Sequence, residues 1–189
     1  YDADAERAHE IEREANRTYV HALGDPAVMA GQGTIGLEIA EQCPEVEAVV
    51  GAIGGGGLIA GISTAITELT DARVVGVQAE GAASAAESVA KGEIVERESV
   101  DTIADGIATR KIGEATFEVI RDRVDEIVTV SDPEIANALT SLLERSKTLV
   151  EGAAAVSLAA VIEERFDYAS GETIVPALCG GNIDLNVLT

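Results

Sequence analysis

The sequence predicts an α/β fold: a parallel twisted sheet with helices on both faces. Two observations carry this. Segments with strand character alternate with segments of helical periodicity, and the strand segments are continuous apolar runs rather than apolar–polar alternations. Hydrophobic residues make up 47% of 189 residues, enough to cover such a sheet on both sides as one domain.

The elements follow in order. Residues 3–19 predict a helix, with Ala5, Ala8, Ile11, Ala15 and Tyr19 at helical spacing. A short extended piece, 19–23, meets the breaker Gly24-Asp25-Pro26. Asp25 is a candidate N-cap and Pro26 a first helical residue, starting a helix to about Gln42. Val46 to Ile53 is a buried strand and Leu58 to Leu69 a helix. Arg73 to Ala79 is the next strand, followed by an alanine-rich helix over 82–91. Residues 92–113 read as loop. Phe117, Ile120 and Val124 mark a helix, and Glu126 to Val130 a strand. Ser131 or Asp132 caps the following helix, whose buried stripe is Ile135, Leu139, Leu142 and Leu143. Ala153 to Phe166 is a helix and Thr173 to Leu178 the last strand. No linker, repeat or low-complexity tract divides the chain.

The net charge is −21, from 34 acidic and 13 basic residues. Such a surface repels nucleic acid and anionic membranes. It stays soluble where salt screens its self-repulsion, so we expect a halophilic or high-salt host. No run is long enough to span a membrane. Cys43 and Cys179 are the only cysteines, read as free thiols in a reducing cytoplasm. His9 and His21 form no zinc-type ligand cluster. The chain opens at Tyr1 and its single methionine is Met29, so a processed or cleaved N-terminus is expected.

Glycine clusters carry the functional signal. Gly31-Gln32-Gly33-Thr34-Ile35-Gly36 formally matches the dinucleotide fingerprint G-x-G-x-x-G. Its context is wrong, because a helix and not a strand precedes it, and no acidic residue follows at the expected distance. Close helix packing is the simpler reading. Gly54-Gly55-Gly56-Gly57 is better placed, between a strand and the helix opening at Leu58. Backbone N–H groups and a helix N-terminus there suit a phosphate group. The loop lacks the Lys-Ser/Thr ending of a P-loop. Cys179-Gly180-Gly181-Asn182 follows the last strand, where Cys179 either faces a bound ring or is a thiol buried beside a turn.

These segments, with Thr102-Ile103-Ala104-Asp105-Gly106 and Val150-Glu151-Gly152-Ala153, stand in the order seen in pyridoxal-phosphate enzymes of fold type II. The chain resembles the threonine dehydratase (threonine ammonia-lyase) branch of that family, with serine racemase a near relative. The resemblance covers most of the fold type II large domain and leaves it incomplete. It implies pyridoxal 5'-phosphate as cofactor, its phosphate on Gly54, Gly55, Gly56, Gly57 and Leu58. By the same likeness Gly106 and Glu151 lie near the cofactor ring, and Cys179 stands where the family places a serine beside the pyridine nitrogen. A thiol is a weak donor and acceptor there. In metal-dependent members a divalent cation sits on a carboxylate matching Glu80, on the backbone oxygen matching Ser84 and on an aspartate. Position 86 here is alanine, one hard oxygen ligand fewer.

The family's cofactor-bearing lysine lies in a Lys-x-Arg-Gly-Ala context, and its ring-cradling asparagine in Ser-x-Gly-Asn-His. Neither motif occurs, and Lys91, Lys111 and Lys147 have unrelated surroundings. Residues 1–189 therefore look like one large-domain fragment, without the small domain and the lysine segment, and inactive alone. The implied parent activity is deamination of L-threonine, and of L-serine, to the 2-oxo acid and ammonia. The implied setting is a cytoplasmic homo-oligomer of amino-acid metabolism, including isoleucine biosynthesis. The alternatives are racemisation or β-replacement within fold type II, or a non-catalytic Rossmann-like nucleotide-binding module.

Overall fold

The structure is a computed structural model describing residues 2–21 and 24–184, with side chains from Arg7 onward. A four-stranded sheet runs in the order β3-β2-β1-β4, with β1 at Ala48–Ala52, β2 at Arg73–Ala79, β3 at Glu126–Val130 and β4 at Ile174–Pro176. All neighbouring strands are parallel, with Ala52 opposite Val77, Ala79 opposite Val130 and Val50 opposite Pro176. Every strand therefore ends at the same edge, where α/β sheets bind ligands.

Successive strand residues point to opposite faces, and both faces are covered. Val50, Ala52, Val75 and Val77 pack against α6 (Asp132–Ser141) and α7 (Gly152–Ile162). Val49, Ile53 and Val74 pack against α3 (Gly57–Leu69) and α5 (Glu114–Arg123). This is why the central strands read as unbroken apolar runs.

The cap at α2 (Pro26–Gln42) is as expected: the Asp25 carboxylate accepts the Ala27 N–H at 2.8 Å. Gly36 packs α2 onto α3; a Cβ on it would stand 2.7 Å from the Ala65 Cβ, and one on Gly61 would strike the Met29 carbonyl. The G-x-G-x-x-G match is helix packing, with all its residues inside α2.

Some boundaries differ. The first helix, α1, is Asp2–Ala15, not 3–19. Asn16 turns at φ 48, and the Tyr19 N–H folds back to Glu12 Oε1 at 3.0 Å. Residues 22 and 23 of the expected extended piece lie outside the described residues. The last helix ends at Ile162 and not Phe166, because Glu164 adopts φ 49. Leu143 is 47% exposed rather than part of the buried stripe. Leu142–Ser146 form a π turn, whose extra residue rotates Leu143 outward. No helix among the described residues is long and apolar enough to cross a membrane.

Candidate cofactor site

The tetraglycine loop leaves β1 and enters α3 at the strand-end edge of the sheet. Gly56 is the N-cap of α3 at φ +97, a left-handed conformation open to glycine. A side chain would not fit either, since a Cβ there stands 2.8 Å from Thr116 and from Ile120 Cδ1. Two donors on α5 and its cap hold the Gly55 carbonyl: the buried Thr116 hydroxyl at 2.7 Å and the Gly113 N–H at 3.2 Å. In a trans peptide C=O and N–H point opposite ways, so pinning the Gly55 carbonyl to α5 aims the Gly56 N–H away from it. Among the described residues, no acceptor takes a hydrogen bond from the N–H groups of Gly54, Gly55, Gly56, Gly57 or Leu58. Five successive backbone donors without a protein partner, running through the N-cap of α3 where the helix dipole adds positive potential, are chemically suited to an anion.

The other predicted residues form a contiguous wall. A Cβ on Gly54 would lie 3.0 Å from Ile107 Cα, so the loop abuts the 3₁₀ turn Asp105–Ile107. Across that turn, a Cβ on Gly106 would stand 2.7 Å from Glu151 Oε1, and one on Gly180 2.6 Å from the same atom. The Glu151 carboxylate thus fills the space that a side chain at 106 or 180 would take, and Gly180, at φ +135, is also in a conformation that favours glycine. Its Oε2 accepts the Asn182 N–H at 3.1 Å, and its own N–H donates to the Gly180 carbonyl at 3.2 Å. Gly106, Glu151 and Asn182 line a cavity of about 420 Å³, together with Asp105 and Ile183. Cys179 is an exposed free thiol next to Gly180. Neither Cys179 nor Gly54 to Leu58 lines that cavity, although Gly54 touches its wall through Ile107.

Glu80 and Ser84 lie apart from this cluster, in the turn between β2 and α4 (Ser84–Lys91). The lysines are also elsewhere. Lys91 and Lys147 are exposed, and Lys111 pairs with Glu96 at 3.4 Å. A larger groove of about 470 Å³ between α2 and α3 is lined by Met29, Leu37, Ala65 and Leu69, and it brings no cluster of reactive groups together.

Two residues to which the sequence reading gave no role at the site set this geometry. Thr116 orients the glycine loop. Asp132, the first residue of α6, uses its carboxylate outside its own helix. Oδ1 accepts the Thr102 hydroxyl at 2.6 Å and Oδ2 the Ile103 N–H at 3.2 Å. It anchors the segment that delivers Gly106. The available signal was an acidic residue left over once Ser131, in a capping box with Glu134, had taken the N-cap.

A glycine loop with unpartnered amides at the strand ends of a parallel α/β sheet, abutting the wall of a carboxylate-lined cavity, is the arrangement of a phosphate-cofactor protein. The family profile described as "Pyridoxal-phosphate dependent enzyme" matches residues 1–180, and the chain belongs to that family. It is 50% identical over 183 residues to the L-threonine ammonia-lyase of Geobacter sulfurreducens, covering 96% of this chain and 45% of that one. It is 44% identical over 189 residues to the L-threonine ammonia-lyase of Thermotoga maritima, covering 100% of this chain and 47% of the relative. The chain spans about half the length of these curated relatives. Among solved structures, the T.th. threonine deaminase superposes with a TM-score of 0.89 at 39% identity, covering 95% of this chain and 60% of that one. Maize serine racemase superposes at 0.87 with 34% identity, covering 95% and 56%.

Proposed function

We propose that the protein carrying these residues deaminates L-threonine, and L-serine, to the 2-oxo acid and ammonia with pyridoxal phosphate. The observation that carries this reading is the row of five unpartnered amides from Gly54 to Leu58 at the start of α3. The residues present fit the cofactor: the amides suit its phosphate, and the glycines at 106 and 180 leave room beside Glu151 that a Cβ would fill. Bound there, pyridoxal phosphate supplies an electron sink for the bond broken at the amino acid.

The chain's own residues then bind and orient. Gly54 to Leu58 hold a dianion and keep it in register with the sheet edge. Asn182 and the Gly180 carbonyl fix Glu151, so its carboxylate keeps one place in the wall. Cys179 offers the ring nitrogen a weak hydrogen-bonding partner. Lys91, Lys111 and Lys147 stand away from this wall, so the lysine that moves the substrate proton is not among them, and residues 1–189 alone do not turn over.

The identities to threonine ammonia-lyases support deamination over other chemistry. Likeness to serine racemases supports a second reading, racemisation of serine on the same cofactor site. The finer reading is a salt-adapted, cytoplasmic homo-oligomer serving isoleucine biosynthesis; the acidic surface supports its salt adaptation. The test is 2-oxo acid release from L-threonine and L-serine by the protein that carries the chain, beside the chain alone. Release by the former only is expected. D-serine without 2-oxo acid indicates the racemase reading, and turnover by the chain alone overturns the assignment of the lysines.

A further inference from the structure

The turn from β2 into α4 is where the resemblance places a divalent cation, on Glu80, the Ser84 carbonyl and residue 86. The residues present do not fit that ion. Position 86 is alanine, and its N–H is committed to the buried Gln78 Oε1 at 2.9 Å. The Ser84 carbonyl already accepts the Ser88 hydroxyl at 2.6 Å. The Glu80 side chain is exposed. Among the described residues, no three Asp, Glu, His or Cys side chains gather as a metal-binding group. A divalent ion with hard-oxygen demands would find one free carboxylate and one carbonyl already in use.

A positive charge reaches this turn by another route. Arg97 Nη1 donates to the Glu80 carbonyl at 3.3 Å and lies 3.3 Å from Glu87 Oε1 on α4. Its backbone is fixed on both sides, since the Arg97 N–H donates to the Arg110 carbonyl at 2.9 Å and Arg110 Nε donates to the Arg97 carbonyl at 2.9 Å. Arg110 in turn pairs with Glu96 at 2.7 Å. Four residues beyond Arg97, the Asp101 N–H donates to the Gly81 carbonyl at 3.2 Å. Segment 92–113 is long for a loop with little regular structure, and such loops need fastening to hold one conformation. It also carries Gly106 to Glu151.

We infer that the Arg97 guanidinium stands in for a divalent cation at the β2–α4 turn, tying the Glu80 carbonyl and Glu87 to segment 92–113, so that the protein is independent of divalent metal. The guanidinium is a permanent cation with several directed donors, so it bridges a carbonyl and a carboxylate as an ion would. It does so without a coordination sphere. The turn's chemistry is the same whichever amino acid is the substrate, so failure of the deamination reading leaves it standing.

The experiment is thermal melting and calorimetric titration of the chain with Mg²⁺ and Ca²⁺, over a constant KCl background that swamps non-specific cation binding. We expect no saturable heat and no rise in melting temperature. Arg97→Met lowers the melting temperature by about 2–4 °C and speeds amide exchange across 93–112. Should it fail to fold, Arg97→Lys, which keeps the charge but loses the fork, shows faster exchange across the same segment. The double variant Ala86→Asp with Arg97→Met recovers stability on adding Ca²⁺. Saturable metal stabilisation of the unaltered chain, unchanged exchange in both Arg97 variants, or no recovery in the double variant each overturns the inference.

Discussion

The Thr116 hydroxyl donates to the Gly55 carbonyl at 2.7 Å, joining α5 to the tetraglycine loop. The bond is buried and sits 61 residues from its partner in sequence, so it is a tertiary device. Through the planar peptide it decides which way the following N–H faces. Thr116→Val keeps the volume and deletes the donor, leaving the carbonyl with only the Gly113 N–H. We expect a loss of about 1–3 kcal/mol in chemical denaturation, and weaker binding of phosphate-bearing ligands. Unchanged values for both would contradict the role given to Thr116.

Gly56→Ala places a Cβ on a residue at φ +97 and 2.8 Å from Thr116. Left-handed backbone costs a non-glycine residue about 1–2 kcal/mol, before the clash is counted. A urea midpoint close to that of the parent would show that the loop is not held as described. The same change at Gly92, also at positive φ but with open space around it, should cost only the backbone part.

Two ion pairs contribute to the acid limb of stability. The Arg73 guanidinium beside Glu172, helped by the Ala169 N–H, holds that carboxyl below its ordinary value. Burial pushes the Glu134 carboxyl up, but the Ser131 N–H and Arg165 outweigh it and leave it lowered. A carboxylate lowered in the folded state contributes stability above its unfolded pKa, and that contribution disappears as pH falls through the folded value. Melting temperature should therefore fall as pH drops below the ordinary carboxylate range. Glu134→Gln and Glu172→Gln should flatten that fall; variants that track the parent curve would count against it.

The surface charge predicts a salt response. With a net charge of −21, self-repulsion is screened as ionic strength rises and the Debye length shrinks to about 8–10 Å near physiological salt. Melting temperature should climb with KCl at neutral pH. A melting point that falls with added KCl would refute salt adaptation.

Much of the fold is legible because its signals are local. β2 and β3 match their expected ends, since apolar runs bounded by polar residues leave little ambiguity. The Asp25 and Ser131 caps are legible because the accepting side chain and the amides that donate to it are close in sequence. Glycine is the clearest pointer to the site, as a missing side chain is visible in sequence while its reason is spatial. What is not legible is non-local. Nothing near Asp132 says that its carboxylate reaches Thr102, thirty positions away. Nothing near Thr116 points to Gly55, and no sequence signal marks the π turn at Leu142–Ser146 that leaves Leu143 exposed.

The most direct measurement is an amide-resolved NMR titration of the isotope-labelled chain with pyridoxal phosphate, beside pyridoxal without its phosphate. Saturable shifts at the amides of Gly54 to Leu58 with the phosphorylated compound alone are predicted. Silent amides there, or equal shifts with both compounds, would contradict phosphate capture by this loop.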